Sequence, residues 1–157
     1  MKPRKSIANY TTKVQVSKTV NEITELLRAA RVSSITTEQD INGNVIAIGF
    51  RHETEWGLMS PVLRANVEGV YDFLKQAEGI PWKLQCREQA ERTAWRNVLA
   101  WLDAQLALWQ AGQVSLEQVF LPYARDSCGV TVYERFRERK FSGLLQLPDS
   151  AKEGSRE

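Results

Sequence analysis

Residues 88–112, EQAERTAWRNVLAWLDAQLALWQAG, constrain the fold of this chain more than any other stretch. They hold three of its five tryptophans and no Gly or Pro before Gly112, where a helix would stop. Trp95, Leu99, Leu102, Leu106 and Trp109 recur at steps of four and three, the spacing of one helical face. Ala90, Ala94, Val98, Trp101 and Leu108 widen that face to more than half of the circumference. A helix apolar this far round must be covered, by its own domain or by another chain. Trp95, Trp101 and Trp109 are therefore candidate interface residues, against a second copy in a homo-oligomer or against a host protein. The helix is an assembly element and carries no chemistry.

The remaining segments read as shorter elements. Residues 7–16 (IANYTTKVQV) alternate polar with β-branched or apolar side chains and predict a first strand. Ser17 or Thr19 offers an N-cap, and Thr19 with Glu22 makes a T-x-x-E capping box. The helix it opens places Val20, Ile23, Leu26, Leu27 and Ala30 on one face. Three strand signals follow. Residues 34–39 are rich in β-branched side chains, and Asn42-Gly43 favours a type I′ hairpin turn. Residues 45–50 (VIAIGF) are apolar on both sides and predict a central strand. A second turn is expected at 53–57, then a third strand at 58–63 that Pro61 demotes to an edge. Asn66 caps a helix whose stripe is Val67, Val70, Tyr71 and Leu74, and Gly79-Ile80-Pro81 breaks it. Beyond the tryptophan helix, Ser115/Gln118 and Thr131/Glu134 are capping boxes for two short helices, the first interrupted at Pro122.

The order is β-α-β-β-β-α followed by three helices. This is an α+β fold: a small antiparallel sheet, then a helical C-terminal half with one long amphipathic helix. Residues 1–78 are expected to form the sheet unit and 87–141 a helical unit packed on it or forming an interface. The shift in composition at 79–86 separates them, and residues 142–157 read as a flexible tail.

Composition narrows the function classes. With 43% hydrophobic and 25% charged residues the chain has the profile of a soluble globular protein. No apolar run approaches the roughly 20 residues that span a bilayer. The segment MKPRKSIANYTTKV has no apolar stretch behind its charges and does not read as a secretory signal. A cytoplasmic setting without a membrane partner follows, and in it Cys86 and Cys128 are expected to be buried reduced thiols and not a disulfide. The one histidine, His52, has no second His and no nearby Cys, so neither a zinc site nor a Cys–His nucleophile can be assembled. His52 reads as a surface turn residue. Glu53 and Glu55 are the nearest thing to a carboxylate pair and read as hairpin surface charge. The nine glycines are dispersed, and no phosphate loop or nucleophile elbow is present. No catalytic residue, metal site or cofactor is assigned, and the protein is read as non-enzymatic.

The net charge of +2 conceals an asymmetry. Residues 1–18 hold Lys2, Arg4, Lys5, Lys13 and Lys18 and no acid, leaving 16 basic against 19 acidic side chains elsewhere. Such an arm can approach a polyanion; a solvated terminus that serves solubility is the competing reading. Basic and aromatic residues also interleave at Arg51 and Trp56, at Trp82-Lys83 and through YERFRERKF at 133–141, where Arg135 and Arg139 lie one turn apart. Aromatics beside cations suit single-stranded nucleic acid, although Tyr133, Phe136 and Phe141 equally suit a core face. The candidate nucleic-acid contacts are Lys2, Arg4, Lys5, Lys13, Arg51, Trp56, Arg135 and Arg139.

The segments NYTTKV at 9–14, ANVEGV at 65–70, QAERTAWR at 89–96 and FLPY at 120–123 together resemble a family of small, mostly uncharacterised proteins of phages, prophages and other bacterial mobile elements. The resemblance runs from about Ile7 to Phe141. It implies a bacterial or phage cytoplasmic setting and a stand-alone product, and brings no catalytic residues with it. The expected function is that of an accessory protein acting by binding, through association of its basic N-terminal arm with single-stranded or non-specific nucleic acid. The alternative is a protein-binding or self-assembling module that inhibits or recruits a host factor through the tryptophan-rich helix.

Overall fold

The computed structural model describes residues 6–145. Five helices and four strands follow the order α1 (Val16–Ala29), β1 (Ser34–Gln39), β2 (Val45–Thr54), β3 (Gly57–Met59), β4 (Val62–Leu63), α2 (Val67–Gln76), α3 (Arg87–Gln110), α4 (Leu116–Phe120) and α5 (Val132–Glu138). Single 3₁₀ turns at Trp82–Leu84 and Leu121–Tyr123 join the later helices. The fold is α+β, built on one small antiparallel sheet.

Strand β2 is central, as its two apolar sides require. It pairs with β1 along one edge and with β3 and β4 along the other. Ser60 and buried Pro61 divide the expected third strand into β3 and β4, because Pro has no N–H to give the ladder. Two details of the first hairpin depart from the sequence reading. A type I′ turn needs positive φ at both Asn42 and Gly43, and only Gly43 has it, at 82°. The Asp40 carboxylate instead accepts from the backbone N–H groups of Asn42 (2.9 Å) and Asn44 (2.8 Å), which gives a three-residue loop with a register shift at Glu38/Gln39. Strand β2 also runs four residues further than expected, to Thr54, leaving Glu55-Trp56 as the second turn.

Helix α3 lies on both helical neighbours and on the sheet. Trp95, Leu99, Leu102 and Leu106 are buried in one core with Ile23 and Leu27 of α1, Ile48 and Phe50 of β2, and Phe120 of α4. The first turns of α3 form a second cluster, Ala90 and Ala94 against Val70 and Leu74 of α2. The capping boxes at Ser115/Gln118 and Thr131/Glu134 and the Asn66 cap form as the sequence predicts.

The expected first strand does not form. Residues 8–11 turn, and the segment is pinned to α3. Buried Gln89 donates to the carbonyls of Tyr10 (2.8 Å) and Thr12 (2.9 Å), and Asn9 donates to the Asn97 side chain (2.8 Å). A helix side chain thus satisfies backbone groups that a strand partner would otherwise take. The Thr19/Glu22 capping box is absent too. Helix α1 starts at Val16, Thr19 is buried inside it, and Glu22 pairs with Arg96 of α3. Both cysteines are exposed and unpaired, against the expected burial: Cys86 stands at the N-terminus of α3 and Cys128 in the turn before α5. No described helix is long and apolar enough to cross a membrane.

Candidate functional site

The outer sheet face carries a polar surface on which arginines from several elements lie. Paired residues of antiparallel strands project to the same side, so the pairs Ser34↔Arg51, Thr36↔Gly49, Glu38↔Ala47 and Gly49↔Val62 define this face. The alternate residues Ile48 and Phe50 enter the core on the other side. The chain after α4 then folds back over the face. Ala124 bridges to Pro61, and the Arg125 backbone N–H donates to the Ser60 carbonyl at 3.0 Å. This places the Arg125 guanidinium across the sheet, where it donates to Glu38 at 2.8 Å.

Gly49 makes the placement possible. A Cβ there would sit 2.8 Å from Thr36 Oγ1 and 3.3 Å from Arg125 Nη2. A glycine inside the strongest strand marks a close approach, and the group that approaches is this guanidinium. The result is a trough of about 460 Å³ with Gly49 as its floor and Ser34, Thr36, Arg51, Ser60 and Arg125 among its walls. Arg125 also borders a second groove of about 800 Å³ lined by Arg64, Tyr123, Thr131 and Arg137. The two form one track over the sheet edge and the start of α5.

The carboxylates along this track are engaged by the protein itself. Asp126 accepts from the Cys128 and Val130 N–H groups and from Arg135 Nε at 2.7 Å. The Arg135 hydrogen bond, then the Val130 amide, hold the Asp126 carboxyl below its ordinary range. Glu134 closes the α5 capping box, and the Thr131 backbone and hydroxyl hold its pKa down. Glu38 is shared between Arg125 and Arg64. Among the described residues Arg51 and Arg137 make no ion pair within 4.0 Å, although Arg137 helps to lower the pKa of Glu134 across the same groove.

The structure therefore redistributes the residues chosen from sequence. Lys2, Arg4 and Lys5 lie outside the described residues. Lys13 is exposed on the segment pinned to α3 and is not part of the track. Arg51 is on it. Trp56 is 80% exposed at the β2–β3 turn, with exposed Leu58 beside it. Arg135 lies beside the track but spends its guanidinium on Asp126 and Glu138, which makes it a brace for the 126–130 turn. Arg139 caps the C-terminal end of α5 and is exposed. Of the interface candidates, Trp95 is 1% exposed and belongs to the chain's own core, whereas Trp101 and Trp109 are half-buried. Arg64, Arg125 and Arg137 were not legible as site residues, because nothing local in the sequence connects β4, the 124–131 return and β2.

His52 acquires a partner that its neighbours in sequence do not reveal. Half-buried in β2 opposite Met59, its Nε2 lies 3.5 Å from Glu117 of α4. The Glu117 carboxyl is held below its usual range, first by its own backbone amide, then by Ser115 and by His52. The contact ties the long hairpin to α4. Among the described residues no group of three or more His, Cys, Asp and Glu side chains converges.

No protein-family model, curated protein or solved structure matches this chain.

Proposed function

We propose that this protein associates with nucleic acid by binding rather than catalysis, in the phage, prophage or mobile-element setting that the resemblance implies. Its phosphate contacts lie along the outer sheet face, and the N-terminal arm adds to them. The observation that carries this reading is the pair of guanidinium groups, Arg51 and Arg125, beside the glycine floor. Ser34 and Ser60 line the same trough, and Arg64 and Arg137 continue the track. Planar guanidinium forks with hydroxyl donors are the groups that hold phosphate oxygens. Arg51 and Arg137 make no ion pair among the described residues, which leaves their guanidinium groups to donate to a ligand. The protein-binding alternative has less surface to work with, since Trp95, Leu99, Leu102 and Leu106 are consumed by the core.

Fluorescence anisotropy with a labelled oligodeoxythymidylate of about 15 nucleotides tests the reading. Affinity should fall with salt at a log–log slope of about 0.7 per phosphate neutralised on a single strand. The double variant Arg51→Ala/Arg137→Ala should weaken binding and lower that slope by about 1–2. Lys2→Ala/Arg4→Ala/Lys5→Ala measures the share of the arm. An absence of wild-type binding at about 50 mM salt, or binding at full strength by the Arg51/Arg137 variant, overturns the proposal.

A further inference from the structure

The track has a second compartment. On the other side of Tyr123 from the arginine groove lies a cavity of about 330 Å³ between β4, α2 and α3. Its lining is mostly apolar, with Leu63, Val70, Val98 and Trp101, and Asn97 stands among them. The Asn97 side-chain oxygen is taken by Asn9, which leaves its NH₂ as the donor on that wall. Arg64 and Tyr123 border both compartments.

Tyr123 is held where it stands by a run of edge-on aromatic contacts that starts in the core. Phe50 meets Phe120 at 4.9 Å, Phe120 meets Trp101 at 6.1 Å, and Trp101 meets Tyr123 at 5.3 Å. The first members of this run are buried and the last is 39% exposed. An aromatic ring fixed between a cationic groove and an apolar cavity suits a ligand with phosphates on one side and a flat apolar group on the other.

We infer that Tyr123 is a base-stacking platform and that the cavity behind it receives an unstacked base of single-stranded nucleic acid, the phosphates of which lie beside Arg64, Arg125 and Arg137. The inference rests on the proposed function and assigns it a strand class. In a duplex the base faces are stacked and paired, so a platform between two concave walls meets a base only in a single strand. Helix α5 does not offer the duplex alternative. It has seven residues, and its Arg135 is held in place by Asp126 and Glu138.

The experiment compares three labelled strands of equal length: oligodeoxythymidylate, oligouridylate and a fully abasic deoxyribose-phosphate strand. Stacking on an aromatic side chain is worth a loss of roughly 5- to 150-fold when the ring is removed. Tyr123→Ala should therefore lose about that factor on a base-bearing strand and nothing on the abasic one, while Tyr123→Phe binds like the wild type. A loss on thymidylate alone or uridylate alone supports the platform and reports the sugar it accepts. Thermal melting of each variant confirms that the fold is intact, and the half-exposed position of Tyr123 predicts little change. If Tyr123→Ala binds every strand like the wild type while Arg51→Ala/Arg137→Ala weakens them, the platform is refuted and nucleic-acid association stands. If no strand binds the wild type, both fall together.

Discussion

Leu102 provides a direct test of how α3 is covered. It is 0% exposed and packs in the core shared by α1, β2 and α4. Leu102→Ala removes three carbons, worth about 2.4 kcal/mol at roughly 0.8 kcal/mol each. Close-packed neighbours on several elements cannot collapse fully into the space, so a cavity contribution raises the loss to about 3–4 kcal/mol. For a chain of this size each kcal/mol moves the melting temperature by roughly 2–4 °C, which predicts a fall of roughly 6–16 °C. Differential scanning fluorimetry at two protein concentrations about tenfold apart reads the effect. A core within one chain gives the same fall at both. A helix covered by a second copy would give a melting temperature that rises with concentration. A fall smaller than about 2 °C, or one that depends on concentration, would refute the assignment of this stripe to the chain's own core.

Two further outcomes follow from the site. Gly→Ala in an open strand position is often stabilising by about 0.4–1 kcal/mol, but at Gly49 the added Cβ would meet Thr36 Oγ1 at 2.8 Å. Gly49→Ala should therefore destabilise by about 1–3 kcal/mol, and Thr36→Ala in the same chain should restore most of the loss; a raised melting temperature in the single variant would contradict the packing. The carboxyls of Asp40 (through Asn44), Asp126 (through Arg135), Glu134 (through Thr131) and Glu117 (through its own amide) all have lowered pKa values. Lowered folded-state values mean stability that is complete above the ordinary carboxylate range and lost as pH falls through the lowered ones. Melting temperature should hold level down to about pH 5 and decline below about pH 4, less steeply in Asp126→Asn, and a rise on acidification would reverse the sign.

The elements that sequence determined are those whose signal is local. The face of α3 is set by a 3.6-residue period, the caps at Asn66, Ser115 and Thr131 by a side chain three residues from its partner, and the central place of β2 by apolar residues on both its sides. Each of these is satisfied within a few residues of where it is read. The misreadings fall where a distant group competes. Alternation at residues 7–16 yields to Gln89, which takes the Tyr10 and Thr12 carbonyls across more than 70 positions. The Thr19/Glu22 box yields to an ion pair between Glu22 and Arg96. The arginine track belongs to the same class. Arg51, Arg64, Arg125 and Arg137 come from four separate stretches, and they line adjoining grooves only because the chain after α4 returns across the outer sheet face. In sequence the one trace of that return is Gly49, a residue without a side chain in the strand that needed one most. Periodicity and caps are properties of neighbours and survive in the sequence; charge convergence is a property of the packed chain and appears only in three dimensions.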